Sequence, residues 1–278
     1  MKRMNTLYKI SFSALFIALG IILSRFLSIS YIFGLPFLKI GFTNSIVMFA
    51  SFYLGPIYGF IVGTAVDVFG ALLYPIGPFN PLYTIAASLT GLMPFLIYRF
   101  ISFTKLENKF PTILTIILIA LNAFVIVFMA NNDVIHSESG KTTYELYPWL
   151  KWTIVSTFLV LSVAFLLGTL YIKRRFKDRK FNKYYNSYII ASSVYVTYFV
   201  FKIPVGSLVQ AILLNYDFMV VMTVRMLAGF LTSFVHIIII LIALDVSLRF
   251  QEKGALLEEP FAFIKRIKAR NKKELTNN

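Results

Sequence analysis

Five charged residues stand where an otherwise apolar sequence makes charge costly. Arg25, Lys39, Lys202 and Arg225 lie at the ends of long apolar runs, and Asp67 is the only acid in the middle of one. A charge at mid-bilayer depth costs about 2.5–3.5 kcal/mol on insertion scales, and less near the interface. Guanidinium groups grip carboxylates through paired hydrogen bonds, so a mouth lined by these cations suits an anionic ligand. Each long side chain reads equally well as one that merely snorkels to the headgroups. Asp67 sits in Gly63-Thr-Ala-Val-Asp67-Val-Phe-Gly70. It is either a ligand contact or proton relay, or a structural partner of the backbone or of Thr64.

Other chemistries are poorly served. There are no cysteines, which removes disulfides, thiolate metal sites and cysteine nucleophiles. His136, in a polar loop, and His236, within an apolar run, are the only histidines, and two scattered imidazoles make a poor metal site. Gly140-Lys141-Thr142 lacks the upstream glycine of a phosphate loop, because position 135 is Ile. No HExxH or Gly-x-Ser-x-Gly motif occurs, and Asp67 has no facing acid for an aspartyl protease. No catalytic residue, metal site or cofactor is expected.

The elements that must position these residues are membrane helices. Of 278 residues, 58% are hydrophobic and 14% charged, against about a quarter charged in soluble domains. The apolar residues fall in blocks of the length that spans a bilayer. Runs cover 10–27, 40–54, 57–73, 82–100, 113–130, 152–172, 188–201 and 219–246, with 205–214 ambiguous. The expected fold is all-α, a polytopic bundle of about eight transmembrane helices in one domain over 1–248. A basic cytoplasmic tail over 249–278 follows. The run at Ile10 has no cleavage pattern after it and reads as a retained first helix.

The net charge is +15. The cations lie in connectors and no nucleic-acid module surrounds them, so nucleic acid is not an expected partner. With the N-terminus inside, all but six of the 27 cations face the cytoplasm, which places both termini there. The six exceptions are Arg25, Lys39, Lys141, Lys151, Lys202 and Arg225. The basic stretch at 173–180 reads as a topology signal that also meets anionic lipids. Ala14-Leu-Phe-Ile-Ala18 places two small residues one turn apart, a spacing that admits close approach of another helix.

Residues 11–100 resemble the substrate-binding S component of energy-coupling-factor (ECF) transporters, in its folate-type family. The resemblance lies in Ser24-Arg25-Phe26-Leu27-Ser28-Ile29, Phe37-Leu-Lys-Ile-Gly41-Phe42 and Gly55-Pro56-Ile57-Tyr58-Gly59. It continues through Asp67 to Leu73, Pro75-Ile-Gly77-Pro-Phe79-Asn-Pro81, Thr84 and Gly91, with Val224-Arg225-Met226 a weaker match near the end. It implies a vitamin-binding subunit, without catalysis, that docks on a transmembrane scaffold and two ATPases. Ala14 and Ala18 would pack against the scaffold. Folate would be the ligand: Arg25 and Arg225 would meet its carboxylates, with Lys39 and Asp67 nearby, and Phe42, Phe79 and Tyr83 would stack on its pterin. The family core has six helices, so 111–172 reads as an inserted two-helix hairpin. The sequence departs from the family at Ile46, at Leu82-Tyr83 and at Tyr195-Val-Thr197. An S component for another vitamin, and a membrane enzyme or scaffold outside this family, are the alternatives.

Overall fold

The computed structural model describes residues 6–30, 39–75, 79–104, 109–131, 134–136, 143–145, 148–176, 187–214 and 218–252. The basic tail beyond 252 and most of the 173–183 cationic run lie outside them. Helix α1, Thr6–Arg25, leads into strand β1, Ser28–Ser30, which pairs antiparallel with β2, Lys39–Gly41. Helices α2 (Thr43–Leu54), α3 (Pro56–Leu73) and α4 (Pro81–Phe103) follow. Then come α5 (Phe110–Asn131), a small hairpin of β3 (Val134–His136) and β4 (Thr143–Glu145), and α6 (Pro148–Phe176). Helix α7, Ser187–Val196, passes through a π-turn at Thr197–Lys202 into α8, Ile203–Leu214. The last helix, α9, covers Phe218–Glu252.

Six helices are long and apolar enough to cross a membrane, or seven if the last one, bent by 41°, counts as one span. The chain is a multi-pass membrane protein. The second apolar run behaves differently from the rest. Its first residues are drawn into β2, so α2 has only 12 residues and is about 18 Å long, short of the ~30 Å hydrocarbon core. Nine of its residues are buried. It is the central rod of the bundle, packed by α1, α3, α4 and α9.

Local chemistry explains several boundaries. Gly55 turns the chain at φ 111°, a conformation that favours glycine, and Pro56 opens α3 where its missing N–H costs nothing. Asn80 caps α4 by accepting a hydrogen bond from Leu82 N at 2.9 Å. Helices α3 and α4 then meet backbone to backbone. A Cβ on Gly59 would stand 2.3 Å from the Gly91 carbonyl oxygen, and one on Gly63 2.4 Å from that of Ala87. Small residues at such a seam let dispersion and weak Cα–H contacts act where lipid offers no hydrophobic drive.

The π-turn fuses the seventh run with the stretch that the sequence left ambiguous, giving one continuous helical span over Ser187–Leu213. Ile203 N reaches back to Tyr198 O across the wider turn. Pro204 follows immediately, and its ring would crowd the carbonyl four residues back in a regular α-helix.

The α5–α6 pair lies on the flank formed by α7 and α9, and α6 makes the attachment. Phe165 stacks on Tyr195 with ring centroids 3.8 Å apart, and Phe158 meets the edge of Phe230 at 4.8 Å. Asn122 on α5 donates to Ser162 Oγ on α6 at 2.8 Å, satisfying polar groups in an apolar setting.

Candidate functional site

The end of α1, the start of α2, the end of α3 and the start of α4 meet at one end of the bundle. Because α2 and α3 share the turn at Gly55, the shorter α2 stops about 9 Å below the end of α3. Polar side chains from six helices gather around this stub in two groups.

The first group joins α1, α3 and α4. Arg25 lies against Gly70, where a Cβ would stand 3.0 Å from Nη2. Glycine at 70 therefore makes room for the guanidinium. Asp67, one turn earlier on α3, faces Arg25 as its compensating charge and accepts a 2.7 Å hydrogen bond from Thr84 Oγ1. Deeper along the same seam, Thr64 and Ser88 share a 2.7 Å hydrogen bond. The suggested Asp67–Thr64 contact is thus replaced by Asp67–Thr84, with Thr64 paired to Ser88. Arg25 Nε is buried with no hydrogen-bond partner among the described residues.

The second group joins α2, the π-turn, α8 and α9. Arg225 donates to Gln210 Oε1 and lies over Gly206, where a Cβ would stand 2.6 Å from Nη2. Lys202 Nζ donates to Tyr198 Oη at 3.0 Å and sits 4.2 Å from the centroid of the same ring, a cation–π contact. Asn44 bonds Tyr198 from α2. His236, 2% exposed, shares a 2.7 Å hydrogen bond between Nδ1 and Ser45 Oγ, and its ring is 5.3 Å from that of Tyr198. Tyr83 on α4 stands between the groups. It bonds Gln210 and feels both Arg225 and Asp67.

Four of the residues singled out in the sequence, Arg25, Asp67, Tyr83 and Arg225, are therefore brought together. Phe42 and Phe79 are not packed into this cluster: they are 37% and 53% exposed and make no ring contact among the described residues. The Lys39 side chain lies outside the described residues. Ala14 and Ala18 are exposed on one face of α1 with Leu15, Leu19 and Ile22, while Ser13, Phe16 and Gly20 are buried on the other. Tyr198, Gln210, Asn44 and Ser45 join the cluster without a sequence signal of their own, and Thr84 was marked only by the family resemblance. Lys202 and His236 did carry one, as a cation and an imidazole beside or within apolar runs, but their partners lie on other helices.

Residues 9–136 match the family described as "ECF transporter, substrate-specific component". An 87-residue stretch is 34% identical to "Folate transporter FolT" of Clostridium novyi (strain NT), covering 31% of this chain and 46% of that relative. The chain thus matches about half the length of that curated relative. No solved structure matches. The family match takes in α1 to α5 and β3, with Arg25, Asp67 and Tyr83, and stops ahead of the helices that supply Lys202 and Arg225. Over residues 9–136, the part that holds the buried α2, the chain is similar to the substrate-specific components of ECF transporters.

Proposed function

We propose that the protein is the substrate-binding subunit of an ECF-type vitamin importer and that its ligand is folate. The observation that carries this reading is the convergence of Arg25, Asp67, Tyr83 and Arg225 from four separate helices onto one end of the bundle. Two arginines with a phenol between them match a flat, polar heterocycle carrying carboxylates. The relative named as a folate transporter favours folate over other vitamins, and the exposed rings of Phe42 and Phe79 are free to close over a bound ring, with Lys39 a further contact.

Both termini lie in the cytoplasm, so the mouth faces outward. The subunit has no catalytic role; two ATPases on a shared transmembrane scaffold supply the energy. Ala14 and Ala18 form the docking face on that scaffold, a role supported by their small size and outward exposure on α1. Cytoplasmic basic segments hold anionic lipid headgroups.

Two measurements separate the parts of this reading. Folic acid titrated into the purified protein should bind; no binding removes the folate assignment. Uptake of radiolabelled folic acid in cells that express the scaffold and ATPases should be lost in Ala14→Trp while binding persists. Uptake at the wild-type rate in that variant removes the docking face.

A further inference from the structure

We infer that the anionic end of the ligand docks on Lys202 and Arg225, whereas Arg25 is a positioning group for the uncharged part. This rests on the S-component reading above and deepens it by assigning Lys202, Tyr198 and His236 to the same mouth.

The argument begins with charge balance. Arg25 has Asp67 across from it, and Asp67 is fixed by Thr84. That group is neutral as it stands. Lys202 and Arg225 lie within electrostatic reach of one another, and no described carboxylate pairs with either. Their hydrogen-bond partners, Tyr198 Oη and Gln210 Oε1, are uncharged. Two like charges side by side in an apolar bundle call for a counter-charge.

Geometry adds to this. Each cation spends one donor on its neutral partner, which leaves further ammonium and guanidinium protons to be satisfied. His236 Nε2 is buried without a hydrogen-bond partner among the described residues. The first turn of α2, at Thr43 to Ser45, abuts the same place through Asn44 and Ser45, and its preceding residue Phe42 supplies no side-chain cap. An uncapped helix start favours negative charge. Gly206 leaves the space in which the Arg225 guanidinium lies. A planar carboxylate fits these donors better than a phosphate of a lipid headgroup would, because the first turn of α2 lies below the end of α3 rather than at the lipid interface.

The test uses detergent-purified full-length protein and two probes: folic acid, and 6-hydroxymethylpterin, which has the same ring and no carboxylate. Lys202→Met and Arg225→Gln should each weaken folic acid binding by at least about 30-fold and leave pterin binding unchanged. Arg25→Gln should weaken both probes alike. Folic acid affinity in Lys202→Met within about threefold of wild type overturns the inference, as does equal loss of both probes. Should Lys202→Met fail to fold, Gly206→Ala, which displaces Arg225 without removing its charge, should give the same selective loss. If the wild type binds neither probe, the folate reading fails, and mass spectrometry of co-purifying molecules decides the site. A carboxylate compound on the wild type that is absent from Lys202→Met upholds it. An anionic phospholipid in its place, or no anionic molecule, overturns it.

Discussion

The α3–α4 seam and the seam between α6 and the flank of α7 and α9 are held together by different means. In the first, α3 and α4 touch through Gly59, Gly63 and Gly91, so their backbones set the spacing. In the second, large rings do this: Phe165 on Tyr195, Phe158 on Phe230, and Phe199 on Phe230 at 4.8 Å. The polar residues also divide in two. Arg25 and Asp67 balance each other, and Lys202 and Arg225 stand without a described acid. A charge-balanced polar group thus faces one whose charge is left for something else to complete. On the proposed function, binding specificity lies with the unbalanced group.

The largest effect should come from the glycine seam. A Cβ on Gly91 would stand 2.0 Å from the Gly59 carbonyl oxygen, backbone that cannot step aside. Gly91→Val should cost more than about 4 kcal/mol and abolish recovery of folded protein by size-exclusion chromatography. Gly168 is the contrast, since its Cβ would meet only the Phe234 ring at 3.2 Å. Gly168→Ala should elute as wild type.

Next comes the aromatic seam. Phe165 is fully buried, and Phe165→Ala should cost about 3 kcal/mol in detergent-unfolding titrations. Ligand affinity should hold, because the rings that Phe165 meets among the described residues, Tyr195, Phe230 and Phe234, are not those of the mouth. A smaller change is expected at the neutral cluster. Asp67→Asn keeps an acceptor for Thr84 but leaves Arg25 uncompensated, so stability should fall by about 1–3 kcal/mol. Folic acid binding by the variant should become more salt-sensitive than that of wild type, as titrations at two ionic strengths would reveal. The smallest effect belongs to the hairpin. Asn122→Ala removes its hydrogen bond to Ser162 and should cost about 0.6 kcal/mol by the same unfolding assay. A cost above about 2 kcal/mol would mean that the hairpin depends on this polar pair rather than on α6 packing.

Much of the scaffold was legible in the sequence because its signals are local. Hydrophobic length located the helices, and Gly55-Pro56 marked the tight turn. Arg25, Asp67 and Arg225 were legible because a charge in or beside an apolar run draws notice wherever it falls, and Tyr83 through the family resemblance. The shortening of α2 was not, since it depends on Lys39–Gly41 pairing with Ser28–Ser30. Nor was the direction taken by Lys202. The π-turn shifts the helix phase between Tyr198 and Pro204, so a regular 3.6-residue period misplaces the residues around it. Partners such as Ser45 for His236, 191 positions apart, follow from helix order, which periodicity does not encode.

The central claim, that this mouth captures a small anionic vitamin, is tested most directly on protein purified without added ligand and released under denaturing conditions for mass spectrometry. The account predicts a folate recovered in near-stoichiometric amount from wild type and depleted from Lys202→Met. A wild-type sample that yields no anionic small molecule, and that does not bind added folic acid, contradicts it.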